Sequence, residues 1–279
     1  MTLNVAQCLR RAGELKTVAD SWRLDTELLL AMVLHCRREK LLTWPEQSLS
    51  AEQEEDFQRG FARRLQGEPL AYITGHREFW NLDLVVDRRV LIPRPETELL
   101  VEIAPQLLAE SPRPLIADLG TGSGAIALAL SRELPNAEIW AVDASADALD
   151  VARSNARRLA IDNISLLQAS WCEGFTDQRF DLIVSNPPYI AEGDPHLQRS
   201  DLRFEPRHAL TSGPDGLDAI RTICLQARKF LRSDSWLLLE HGYQQRDAVA
   251  GILTLQGYID ICCWQDLSGL DRVSGGRVA

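Results

Sequence analysis

Residues 181–190, DLIVSNPPYI, end an apolar run on an Asn, two prolines and a Tyr. Such a run reads as a buried strand, so the Asn186 side chain is delivered at the strand's carboxyl edge. Asn186 precedes a proline and is held out of the α region, while Pro187 and Pro188 each have φ fixed near about −65°. The turn is therefore stiff before anything binds. The prolines also remove two backbone donors, which leaves the Asn186 side-chain oxygen and the Pro187 carbonyl as acceptors. Two fixed acceptors suit an –NH2 group, which has two hydrogens to donate. In an amide or an exocyclic base amine that nitrogen is planar and weakly nucleophilic, because its lone pair is delocalised. Holding both N–H bonds from one side fixes the nitrogen and aims the lone pair at an electrophile, by positioning and preorganised electrostatics. Tyr189 offers a flat face to a planar group. Read alone, the tetrapeptide also fits a rigid turn with a surface Tyr.

A second constellation is DLGTGSGA, residues 118–125. Gly120, Gly122 and Gly124 allow a sharp turn and close backbone approach to a ligand, with Thr121 and Ser123 between them and a helix N-terminus behind. The string also satisfies G-x-G-x-x-A, so dinucleotide binding has to be weighed. Asp143 lies 19 residues beyond Gly124, where a carboxylate accepts from ribose hydroxyls. NAD and S-adenosylmethionine (SAM) both carry such a ribose. Asp118 immediately before the loop is badly placed for a pyrophosphate and well placed for an ammonium, which favours SAM. Trp171, after the next apolar run, can lie against an adenine or pack in the core.

These groups need a scaffold that brings them to one edge. From residue 96 on, short apolar runs (PLIADLG, AEIWAVDAS, ISLLQAS, FDLIVSNPP, SWLLLE, YIDICCW) alternate with helical stretches. The alternation predicts right-handed βαβ crossovers and a mostly parallel sheet covered on both faces, with ligands beyond the carboxyl ends of the strands. The first 75 residues read as a small helical bundle. Apolar positions recur in Val5, Leu9, Ala12 and Leu15 and in Leu24, Leu28, Ala31 and Leu34, and Ser50 with Gln53 forms a capping box for a helix carrying Phe57, Phe61 and Leu65. Between them, residues 76–95 alternate apolar and polar through Phe79, Leu82, Leu84 and Val86 with Asn81 at a turn, and predict a β-hairpin joining the two parts.

Composition narrows the chemistry further. The net charge is −10; 11 of the 30 basic and 12 of the 40 acidic residues precede residue 80. Neither part is a basic nucleic-acid footprint, and a basic protein partner fits better. No run approaches the ~18 apolar residues needed to span a bilayer, and the amino end lacks a secretory pattern, so a cytoplasmic protein with no membrane contact is expected. The six cysteines are scattered and no metal-ligand spacing occurs, which predicts reduced thiols and no metal. The five histidines, with His196 nearest the turn, read as structural or surface groups.

Together DLGTGSGAIALAL and SNPPYI, with LIPRPETELLVE before and LLLEHGYQQ after, resemble the release-factor glutamine methyltransferases over essentially the whole chain. The resemblance implies a Rossmann-like α/β class I SAM-dependent methyltransferase domain at 96–279, a helical substrate-recognition domain at 1–75 and the hairpin between them. It implies methylation of the glutamine amide nitrogen in the Gly-Gly-Gln loop of class I peptide chain release factors by a monomer. Gly120, Thr121, Gly122, Ser123, Gly124, Asp143, Trp171 and Asn186 would contact SAM, and Asn186, Pro187, Pro188 and Tyr189 would hold the glutamine. Arg94, Glu96 and Glu98 would order the hairpin, and Glu240 would brace the cofactor side. The tetrapeptide is shared with amino-methyltransferases of adenine, cytosine and guanine, which stand as the alternative. An NAD-dependent oxidoreductase and a non-catalytic SAM sensor are the others.

Overall fold

The computed structural model describes residues 2–198 and 200–279, and only the backbone of residues 196, 198 and 200. The chain forms two compact units, Met1–His76 with Pro195–Phe204, and Arg77–Asp194 with Glu205–Ala279.

In the smaller unit, α1 (Val5–Arg10) runs into a 3₁₀ turn, followed by α2 (Trp22–Val33), α3 (Arg38–Thr43), α4 (Ala51–Leu65) and α5 (Leu70–Thr74). Reciprocal capping boxes start α1 (Asn4 with Gln7) and α4 (Ser50 with Gln53), satisfying donors that an opening turn leaves free. Leu15, Leu29, Leu30, Leu41, Phe57 and Phe61 form the core. The inward stripe of α2 differs from the one expected. Leu24 and Leu28 are more than a third exposed, while Asp25, Thr26, Leu29, Leu30 and Val33 are buried. Two overlapping helical stripes fit this apolar sequence, and Asp25 selects one by pairing with buried Arg64 of α4 at 2.7 Å. A charged residue that reads as solvent-facing is here part of the core.

The larger unit begins at Arg77, within strand β1 (His76–Phe79), which pairs with β2 (Leu82–Val85) across Trp80 and Asn81. Both turn residues have positive φ, as a two-residue hairpin turn that matches strand twist requires. Then come α6 (Glu98–Leu107), β3 (Leu115–Leu119), α7 (Ala125–Glu133), β4 (Glu138–Asp143), α8 (Ala146–Arg158), β5 (Ile164–Gln168) and β6 (Phe180–Ser185). The chain continues through α9 (Asp218–Ala227), β7 (Leu231–Glu240), α10 (Arg246–Leu255), β8 (Ile259–Gln265) and β9 (Asp271–Arg277). Seven strands form one sheet in the order β5-β4-β3-β6-β7-β9-β8. Pairing is parallel from β5 to β7, and β9 is antiparallel to both its neighbours.

Alternate strand residues feed two apolar layers. Ile116, Leu182, Val184 and Leu238 pack with Leu100 and Val101 of α6 and Leu128 of α7, whereas Ala117, Ile183, Leu237 and Leu239 pack with Ile220 and Ile223 of α9 and Leu253 of α10. Burial on both faces explains why these strands read as continuous apolar runs. The strand β9 is not foreseen by the sequence, because DRVSGGR carries two glycines in its middle. A Cβ on Gly275 would stand 2.6 Å from Leu238 Cδ2 and 2.8 Å from the Leu237 carbonyl, so close backbone approach demands the residue that strand propensity disfavours. No helix among the described residues is long and apolar enough to cross a membrane.

Candidate active site

Strand order reverses between β3 and β6, and the carboxyl ends of these adjacent strands carry the two motifs. Leu119, just before the glycine loop, is in register with Ser185, just before Asn186. This is the crevice where open α/β sheets bind ligands. It holds a cavity of about 240 Å³ lined by Gly120 and Gly122, by Asp143 and Ala144 at the end of β4, by Ser170 and Trp171 after β5, and by Asn186 and Pro188.

The glycine loop is shaped by its neighbours. Gly120 and Thr121 both donate backbone N–H groups to the Val142 carbonyl, and Gly120 has φ +75°. A Cβ at Gly120 would touch the Trp171 indole at 3.4 Å, so Trp171 lies against the loop on the cavity wall. Asp143 spans loop and helix: its carboxylate accepts from the Gly122 N–H and from the Ser145 N–H, each at 2.9 Å. Thr121, Ser123 and Gly124 are not on the cavity wall. The Thr121 hydroxyl donates to Asp118, the Ser123 carbonyl accepts from Asn155, and Gly124 packs against Leu128 and Ala152.

Asp118 is fully buried. Its Oδ2 accepts from the Thr121 hydroxyl at 2.6 Å and the Ala127 N–H at 3.2 Å, while Oδ1 has no partner. Burial pushes its carboxyl up to about 7; the two hydrogen bonds oppose the rise and the charge of Asp143 adds to it. A buried carboxylate oxygen with nothing to bind is an incomplete site, and a cation beside the loop would complete it. Asp143 and the Trp171 indole on the cavity wall suit the ribose and adenine of SAM, and the orphaned Asp118 carboxylate, buried behind that wall, suits its ammonium charge. The residues fit SAM.

In the turn after β6, the Asn186 side-chain nitrogen donates to the Thr97 hydroxyl at 3.0 Å. Its Oδ1 makes no hydrogen bond among the described residues and is not sealed from the surface. The amide end that accepts is therefore the free one. Pro187 is buried behind it. Tyr189 donates its hydroxyl to Glu240 Oε1 at 3.2 Å, and its carbonyl accepts from Gln245 at 3.0 Å. Burial raises the Tyr189 hydroxyl, and the Glu240 charge adds to this, so it stays protonated. Ile190 continues the turn by exchanging backbone hydrogen bonds with Leu210 and Ser212.

The flanking motifs act on this turn. Glu98 accepts from the Trp80 N–H at 2.9 Å and so ties the hairpin to α6. Arg94 pairs instead with Glu205, which also accepts from the Ile92 N–H at 3.1 Å. Glu240, expected from the resemblance to brace the cofactor side, accepts from the hydroxyl of Tyr189 in the Asn-Pro-Pro-Tyr turn. Sequence reading missed Thr97, Glu205 and Gln245, although Thr97 and Gln245 lie inside the quoted motifs RPETE and EHGYQQ. It also missed Arg89, Val90, Leu91 and His208 on the cavity wall, which no spacing signalled. His241 is buried against Ser274 at 2.8 Å, and the side chain of His196 lies outside the described residues.

Two family models match the chain, the PrmC N-terminal domain over residues 5–75 and the methyltransferase small domain over residues 95–204. Among solved structures, a 16S rRNA N2 G1207 methyltransferase (RsmC) of Thermus thermophilus, in complex with AdoMet and guanosine, superposes with TM-score 0.54 at 19% identity, over 73% of this chain and 50% of that one. A ribosomal protein L11 methylase of Lactobacillus delbrueckii subsp. bulgaricus does so with TM-score 0.51 at 20% identity, over 70% and 84%. These likenesses show the fold, that of the class I SAM-dependent methyltransferases. Sequence relatives are much nearer. Proteins named release factor glutamine methyltransferase are 48% identical in Xylella fastidiosa over 91% of this chain and 93% of theirs, and 47% identical in Vibrio cholerae over 99% and 98%. The corresponding Escherichia coli protein is 47% identical over 96% and 97%. With its glycine loop, its Asn-Pro-Pro-Tyr turn and its helical amino-terminal unit all inside these matches, the chain belongs to the release factor glutamine methyltransferase family.

Proposed function

We propose that the chain methylates the side-chain amide nitrogen of the glutamine in the Gly-Gly-Gln loop of class I peptide chain release factors. The observation that carries this reading is the orientation of Asn186. Thr97 occupies its –NH2, which leaves Oδ1 free on a residue that lines the cavity together with Gly120, Gly122 and Asp143. An accepting oxygen there receives an N–H of the substrate amide, with the Pro187 carbonyl as the second acceptor.

SAM supplies a methyl group made electrophilic by its sulfonium. Gly120, Gly122, Asp143 and Trp171 would hold it, with buried Asp118 behind the loop balancing its ammonium charge. Asn186 and Pro187 hold the planar amide by its two N–H bonds and Tyr189 backs its plane. The nitrogen lone pair forms the new N–C bond while the S–C bond breaks and its electron pair stays on sulfur. The nitrogen is then strongly acidic and releases one proton to water, so no strong base is required. Pre-set geometry of this kind is worth roughly 7–11 kcal/mol of barrier in favourable cases.

The test is incubation with labelled SAM and, in parallel, a release factor, DNA and rRNA, followed by mass-spectrometric mapping. Label on the release-factor glutamine is the expected result. Label in nucleic acid alone would refute the reading and favour the base amine, the other planar –NH2 that the turn accommodates.

A further inference from the structure

Asn186 is useful only with its oxygen toward the cavity, and an amide can sit either way round. What settles it is the hydroxyl it faces. Thr97, which is 3% exposed, lies just before α6 and accepts from Asn186 Nδ2 at 3.0 Å. A hydroxyl that accepts there must send its own hydrogen elsewhere. A buried acceptor with an oxygen to spare is Glu240 at the end of β7. This side chain is fully buried, Oε1 accepts from the Tyr189 hydroxyl, and Oε2 has no hydrogen-bond partner among the described residues. The Thr97 hydroxyl favours the charged form of this carboxylate, and the unpartnered Oε2 is the acceptor open to its hydrogen. The two ends of the Asn-Pro-Pro-Tyr turn thus converge on one carboxylate, Asn186 through Thr97 and Tyr189 directly.

We propose that Glu240 and Thr97 are positioning residues that fix which end of the Asn186 amide faces the cavity, and with it the acceptor on which methyl transfer depends. The inference rests on the glutamine-amide reading given above. With Glu240 ionised, its oxygens only accept. Both hydroxyls then point at it, Thr97 presents a lone pair to Asn186, and Oδ1 is left for the substrate. With Glu240 protonated, its own O–H can donate to Thr97. The Thr97 hydrogen then turns to Asn186, and the amide is stable the other way round, with –NH2 facing a substrate –NH2. Two donors face to face cannot hold the nucleophile.

The direction of the chain is therefore tied to one proton. Burial pushes the Glu240 carboxyl up to about 7. The Thr97 and Tyr189 hydroxyls and the Arg272 guanidinium on β9 oppose the rise, and Glu96 adds to it. The ionised, productive form gains population as pH rises through that value.

The experiment compares the full chain with Thr97→Val, which keeps the shape and loses the hydroxyl, Thr97→Ser, which keeps the hydroxyl, and Glu240→Gln, whose –NH2 donates toward Thr97. Each is assayed for kcat and KM with the release factor from pH 6 to 9 and for SAM affinity by calorimetry. Thr97→Val and Glu240→Gln are expected to lose roughly 100-fold in kcat, the scale of a misplaced reacting group, with SAM affinity within about 3-fold of the parent. Thr97→Ser should retain kcat within about 3-fold. The parent kcat should rise with pH through a limb near 7 that Glu240→Gln lacks. Unchanged kcat in Thr97→Val, or the same pH limb in Glu240→Gln, overturns the inference and leaves the function standing. A parent chain that does not methylate the glutamine overturns both. Should Thr97→Val fail to fold, as lost SAM binding would reveal, the pH profiles of Thr97→Ser and Glu240→Gln decide.

Discussion

Asn186 and Asp118 sit at the ends of adjacent strands, and each keeps one polar atom without a partner. In the proposed reaction the free atom of Asn186 is the acceptor for the substrate amide. Replacing Asn186 with Ala should leave SAM affinity within about 10-fold and cut single-turnover methyl transfer by roughly 10³, the upper range for loss of one preorganised polar contact. Retained turnover in that assay would remove its role as acceptor. For Asp118 the free oxygen has a cost in stability. Its folded-state carboxyl is raised to about 7 from an ordinary 3.8. A raised carboxyl stabilises the fold fully only below its ordinary value, and that contribution is lost as pH rises through 7. Without SAM the protein should therefore lose thermal stability between pH 5 and 8. Asp118→Asn should raise the Tm at pH 8 by at least about 2 °C, the shift that 1 kcal/mol gives in a domain of this size. The same change should weaken SAM binding about 10-fold or more by removing the counter-charge to its ammonium. Scanning calorimetry with and without SAM measures both.

At the scale of elements, the hairpin and the glycine loop share one anchor. Asn155 of α8 is fully buried. Its Oδ1 accepts from the Val85 N–H at 2.7 Å, and its Nδ2 donates to the Val85 carbonyl at 3.0 Å and the Ser123 carbonyl at 2.9 Å. One side-chain amide thus completes the edge of β2 and pins the cofactor loop. Asn155→Leu strands three backbone groups and should cost about 3 kcal/mol in chemical denaturation, given 1–3 kcal/mol for each unmet buried group. It should also weaken SAM binding by loosening Ser123. An unchanged denaturation midpoint would show the anchor to be dispensable. The hairpin's turn was legible from Trp80-Asn81 and the alternation around it. Asn155 was not, because in VARSNARRLA it reads as one more polar residue on an exposed helix face.

At the scale of the whole molecule, the smaller unit is completed from far along the chain. Arg64 pairs with Asp25 at 2.7 Å and with Asp201, 137 residues later, at 3.1 Å. The two partners differ in burial, with 5% and 39% of their side chains exposed. Asp25→Ala leaves a buried guanidinium short of its main partner and should cost about 3 kcal/mol or more. Asp201→Ala breaks a half-solvated pair and should cost under about 1 kcal/mol. Equal losses in thermal unfolding of the two variants would show that solvent screening at Asp201 is not what separates them.

The sequence by itself determined the parts whose signals are local. Alternating apolar runs and helices pointed to a mostly parallel two-sided sheet, three glycines at a strand-to-helix junction pointed to a ligand loop, and an Asn before two prolines pointed to a stiff turn that presents acceptors. Each follows from chain chemistry within a dozen residues. Tertiary structure alone decided the β9 insertion, where close packing called for glycines, and the α2 face, where a buried ion pair outweighed periodicity. It also decided that Thr97 converges on one turn with Glu240 and Gln245, which lie far along the chain from it. Such choices depend on which groups are desolvated together, and desolvation is a property of the folded neighbourhood, absent from any single stretch of chain.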